Sequence, residues 1–98
     1  MKDFNEQIKS PKPVLVDFYA EWCGPCRVMK PTLLDVAERM GESATVLSID
    51  IDKEQELAER FRIQSVPTLI IFKQGKQLWR QSGVISANAL TKLLKDYQ

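Results

Sequence analysis

The chain predicts an α/β fold, with one mixed β-sheet of about four strands packed between about four helices. Three observations carry this. Val14-Leu15-Val16-Asp17-Phe18-Tyr19-Ala20 is a near-continuous apolar run of strand formers, the mark of a strand covered on both faces. A long amphipathic stretch separates it from a second strand-like run, and a strand–helix–strand unit implies a right-handed parallel crossover. Near the C-terminus Gln74-Gly75 sits between two further strand-forming runs, which reads as a tight hairpin adding antiparallel strands.

The elements follow in order. Phe4 and Ile8, four apart, give a weak short helix within Met1 to Lys9, broken by Ser10-Pro11-Lys12-Pro13. After the first strand, a helix is expected from Cys23 to Met40. Cys26, Met29, Leu33, Val36, Ala37 and Met40 form its apolar face. Pro31 should kink it, and Gly41 is a natural stop. Ala44 to Ile51 reads as the second strand, with Leu47, Ile49 and Ile51 on one face and Val46, Ser48 and Asp50 on the other. Asp52 and Gln55 resemble a loose capping box for a short helix to about Phe61. Thr68 to Lys73 and Lys76 to Ser82 are the hairpin strands, ended by Gly83. Ser86 can cap a last helix whose apolar face is Ala87, Leu90, Leu94 and Tyr97. Trp79, Met29 and Met40 read as packing residues.

Ninety-eight residues fit a single domain, residues 1–98. The composition, 44% hydrophobic and 28% charged with net charge +1, is that of an ordinary globular domain. Nucleic-acid and membrane-surface partners need clustered positive charge, which the sequence lacks. The longest apolar runs are too short to span a membrane, and the N-terminus has no apolar signal-peptide core. Both cysteines lie in one Cys-x-x-Cys, whereas small secreted scaffolds usually carry more. A reducing, cytoplasmic location is therefore expected.

The Cys-x-x-Cys carries the chemistry. Cys23 and Cys26 are one helical turn apart, so modest adjustment brings them into disulfide range. The motif follows a strand and opens a helix, where unpaired N–H groups and the positive dipole end stabilise a thiolate. A lowered pKa would activate Cys23, and Cys26, one turn inside, would be shielded. Gly24 permits close approach of another chain, and Pro25 is tolerated in a first helical turn. A zinc site needs about four ligands, and the chain has no other cysteine and no histidine. A structural disulfide closing so short a loop would constrain the unfolded chain little. Redox chemistry is the stronger reading. By itself Asp17 is either a tolerated polar residue at a strand edge or a buried acid, and Trp22 either a core or a surface aromatic.

The segment Val14 to Cys26, with Trp22-Cys23-Gly24-Pro25-Cys26 at its end, resembles the active-site segment of the thioredoxin family. Pro31 matches that family's mid-helix proline, Val66-Pro67-Thr68 its cis-proline loop, Phe72 to Lys76 its last hairpin, and Gly83 the glycine before its final helix. The resemblance covers nearly the whole chain. It implies a three-layer sandwich and a protein-disulfide reductase. Cys23 would be the nucleophile, Cys26 the resolving cysteine, Asp17 a buried proton acceptor and Pro67 a cis-proline. The docking surface would comprise Trp22, Gly24, Pro25, Val66, Gly83 and Val84, with the Val66 backbone free to pair with an extended client. No cofactor or metal would be bound. The partners implied are disulfide-containing clients and an NADPH-dependent thioredoxin reductase.

Two departures stand out. Many members carry a lysine on the central strand near the aspartate, and that position here is Ser48. The family's N-terminal strand is apparently missing, which would leave strand 44–51 as a sheet edge. A monomer is expected, with weak dimerisation through that edge as the alternative. Competing functions on the same fold are a specialised oxidase or isomerase, a narrow-client reductase, and a non-catalytic subunit of another enzyme.

Overall fold

The computed structural model describes residues 3–98. The element order is α1 (Phe4–Gln7), β1 (Val14–Tyr19), α2 (Gly24–Met40), β2 (Thr45–Asp50), α3 (Gln55–Arg60), β3 (Thr68–Lys73), β4 (Lys76–Ser82) and α4 (Ala87–Asp96). Met1 and Lys2, part of the expected first helix, lie outside the described residues. The sheet runs β2-β1-β3-β4. β1 pairs parallel with β2, bringing Asp17 opposite Ser48, and antiparallel with β3, bringing Asp17 opposite Leu69. β3 and β4 form the expected hairpin, turned by Gln74 and Gly75 at φ 54° and 82°.

The apolar runs Val14–Phe18 and Leu69–Phe72 become the two central strands because each is covered on both faces. Side chains alternate across a strand, and the alternation sorts them into two cores. Leu15, Leu69 and Ile71 face Met29, Leu33 and Val36 of α2 and Leu90 and Leu94 of α4. Val14, Val16, Phe18, Ile70 and Phe72 face Phe4, Ile8, Leu57 and Phe61 on the opposite side. In that second core Phe61 stacks edge-on against Phe4 and Phe72, with ring centroids 5.8 and 5.3 Å apart. The result is the three-layer sandwich expected. Among the described residues no helix is long and apolar enough to cross a membrane.

Local expectations met mixed outcomes. Helix α2 runs on through Pro31 to Met40. Ser86 caps α4, its Oγ accepting from the Ala89 N–H at 3.2 Å. The capping box proposed at Asp52 is not formed. Helix α3 begins at Gln55, its N-cap Glu54 makes no side-chain cap bond, and the Gln55 amide turns back to the Asp52 carbonyl. The Asp52 carboxylate is taken by a tertiary partner described below.

Candidate active site

Strand β1 delivers the chain to the site. After Tyr19 a tight turn, closed by the Cys23 N–H donating to the Ala20 carbonyl at 3.2 Å, places Cys23 at the N-cap of α2 with extended backbone, φ −88° and ψ 117°. Its Sγ accepts the Cys26 N–H at 3.2 Å. A sulfur therefore fills the role an oxygen side chain usually plays at an N-cap, against an end of α2 whose free N–H groups favour negative charge. Cys23 and Cys26 are joined as a disulfide with Cα atoms 5.3 Å apart. Cys23 is 5% exposed and Cys26 1%. The order is the one expected, but Cys23 is more enclosed than a nucleophile at a helix start suggests. Ala20, Tyr19, Ile51 and Val66 pack around the pair.

The loop before β3 forms the opposite wall. Val66–Pro67 is a cis peptide bond and Pro67 is buried. The Val66 carbonyl oxygen lies 3.6 Å from Cys23 Sγ. Thr68 holds this loop from beneath, its hydroxyl 2.6 Å from the Ser65 carbonyl and 2.8 Å from the Ser82 hydroxyl. The Gly83 N–H donates to the Pro67 carbonyl at 2.9 Å, with Gly83 at φ 101°, where side chains other than hydrogen are disfavoured. Trp22 is 68% exposed and Val84 is exposed beside Gly83. A Cβ added at Gly24 would meet open space.

Two contributors escaped the sequence reading. Asp52 accepts the Trp22 indole N–H at 3.0 Å, pinning an aromatic that would otherwise swing in solvent. Thr68 supports the cis-proline loop. Thr68 lies within the quoted Val66-Pro67-Thr68 segment, whereas the Asp52 contact spans thirty residues and has no local signal.

Asp17 is 2% exposed, on the face of β1 turned toward α2, and its Oδ1 has no partner among the described residues. Of the two readings, the buried acid is the one observed. Burial pushes its carboxyl from an ordinary 3.8 up to about 7, because desolvation penalises the charged form. Its strand neighbour is the neutral Ser48. Among the described residues no group of three or more His, Cys, Asp or Glu side chains could hold a metal ion.

A disulfide-linked cysteine pair thus caps the helix that follows a central strand, on a sheet layered between helices. The thioredoxin family model matches residues 1–96, and the chain belongs to the thioredoxin family. It is 48% identical over 87 residues to the chloroplastic thioredoxin Y of Oryza sativa, covering 89% of this chain and 52% of that protein. It is 42% identical over 94 residues to a thioredoxin of Alicyclobacillus acidocaldarius, covering 96% and 90%. The chain thus spans about half the length of the chloroplastic relative. A variant thioredoxin from Halobacterium salinarum superposes with a TM-score of 0.89 at 35% identity, covering 99% of this chain and 84% of that one.

Proposed function

We propose that this chain is a general protein-disulfide reductase. The observation that carries the reading is Cys23 at the N-cap of α2 with its sulfur accepting the Cys26 N–H. That arrangement favours the thiolate, the attacking form. In the reduced enzyme the Cys23 thiolate attacks one sulfur of a client disulfide. The client S–S bond breaks, a mixed disulfide forms, and the second client sulfur leaves as a thiolate that takes up a proton. Cys26 then gives its proton to Asp17 and attacks Cys23 Sγ. The mixed disulfide breaks, the client leaves with its second sulfur reduced, and the Cys23–Cys26 disulfide remains. Two electrons have passed to the client. Raised to about 7, Asp17 is matched to a general base near neutral pH.

The exposed Trp22 and Val84, the open backbone at Gly24-Pro25, and the Val66–Gly83 wall support an apolar docking face for an extended client segment. Recycling by an NADPH-dependent thioredoxin reductase in a reducing compartment such as the cytoplasm completes the cycle. The test is insulin reduction with NADPH and a thioredoxin reductase, together with trapping. Cys26→Ser should accumulate mixed disulfides with clients, and Cys23→Ser should not. Trapping by the opposite variant reverses the two roles. A reduction potential near the oxidising end of the family's range would favour an oxidase or isomerase instead.

A further inference from the structure

The segment Gly83 to Ser86 joins β4 to α4 and carries the exposed Val84. It is pinned on either side of that residue. On one side the Gly83 N–H donates to the Pro67 carbonyl at 2.9 Å. On the other the Ile85 N–H donates to Met29 Sδ at 3.5 Å.

The second anchor has an uncommon acceptor. A thioether accepts only weakly, and a buried backbone N–H is ordinarily taken by oxygen. Among the described residues that sulfur is the partner of the Ile85 N–H. Met29 and Ile85 are both buried, so bulk water does not compete for the donor. Leaving a buried donor unpaired is costly, and the sulfur therefore holds Ile85 in place.

Met29 reaches the segment from the helix that carries the cysteines. It lies three residues after Cys26, one turn further along α2. It packs in the core shared by Leu15 of β1, Leu69 and Ile71 of β3 and Leu90 of α4, as its spacing predicts. An unbranched thioether fills such a core and still offers a sulfur. A leucine of similar size fills the space and offers no acceptor. At its other end the segment is tied to the loop whose Val66 carbonyl lies 3.6 Å from Cys23 Sγ. Val84 is thus held between the loop facing Cys23 and the helical turn that follows Cys26.

We propose that Met29 is a positioning residue for client docking: its sulfur holds the Ile85 N–H and so fixes Val84 at the edge of the docking face. It acts through Ile85 and not on the reacting sulfurs. The bearing on turnover rests on the docking face described above; the hold of Met29 on Ile85 does not.

The test compares Met29→Leu with Met40→Leu. Each replaces a buried methionine of α2 with a residue of similar volume, but the bond to Ile85 belongs to Met29. Amide hydrogen exchange is followed by NMR in the oxidised protein. In Met29→Leu the Ile85 amide should exchange roughly five- to tenfold faster, measured against the amides of β3, and in Met40→Leu it should stay near wild type. In insulin reduction Met29→Leu should raise KM roughly two- to fivefold with kcat close to wild type. Its rate with a small aromatic disulfide, which needs no extended docking, should be unchanged. Unaltered Ile85 exchange overturns the proposal, as does an equal quickening in Met40→Leu, which would assign the effect to general loosening of the core. An equal loss of rate with the small disulfide also overturns it, since the change would then lie at the cysteines. So does an unchanged KM in Met29→Leu where Val84→Asp raises it. Failure of the docking face itself reads out separately, as an unchanged KM in Val84→Asp.

Discussion

Burying Asp17 costs this protein stability. Between about pH 4 and pH 7 the folded chain holds a proton on Asp17 that the unfolded chain has released, because burial lifts its carboxyl to about 7. The unfolded state then binds fewer protons, so stability falls as pH rises through that window and stays reduced above it. The whole effect is roughly 4 kcal/mol. Asp17→Asn should therefore gain in melting temperature over wild type near pH 8 and show little gain near pH 4, read by thermal unfolding of the oxidised protein. The same variant should reduce insulin more slowly. A second residue-scale prediction concerns Trp22. Asp52→Ala frees the indole held at 3.0 Å. It should raise the KM for protein clients more than it lowers kcat, since it loosens an aromatic on the proposed docking face and leaves the cysteines in place.

At the scale of elements, the helix starts show how far local signals reach. Ser86 was legible as the cap of α4 because capping is decided within one turn, and its Oγ takes the Ala89 N–H. Ser86→Ala should cost about 1 kcal/mol in denaturant unfolding and leave insulin reduction unchanged. The start of α3 misled because Asp52 has a competing use. Its carboxylate serves Trp22, and its backbone N–H is held by Asp50 Oδ1 at 2.9 Å, so the helix begins two residues later without a side-chain cap. The end of α3 is likewise finished from outside. The Arg80 guanidinium on β4 donates to the carbonyls of Phe61 and Arg62, satisfying acceptors that the short helix leaves open.

Across the whole molecule, β2 is one edge of the described sheet and β4 the other. Strand β2 is six residues long, with polar, exposed Thr45 and Ser48, and short polar edges resist pairing. We expect a monomer by size-exclusion chromatography with light scattering at high concentration. A dimer that grows with concentration, and is lost on introducing a proline at Ser48, whose backbone alternates outward from the β1-bonded Thr45, would instead show the 44–51 edge in use.

The sequence by itself determined the element order, the two central strands, the hairpin at Gln74-Gly75 and the placing of both cysteines at the start of α2. Each of these follows from periodicity, turn chemistry or spacing within a few residues, where local physics decides. Only the tertiary structure decided the environment of those residues. That Asp17 is buried without a partner among the described residues, that Asp52 holds Trp22 and that Thr68 braces the proline loop all depend on strands and helices far apart in the chain. Burial is a property of the packed whole, and it sets the proton affinity of the carboxyl that lies beneath the Cys23–Cys26 pair of α2.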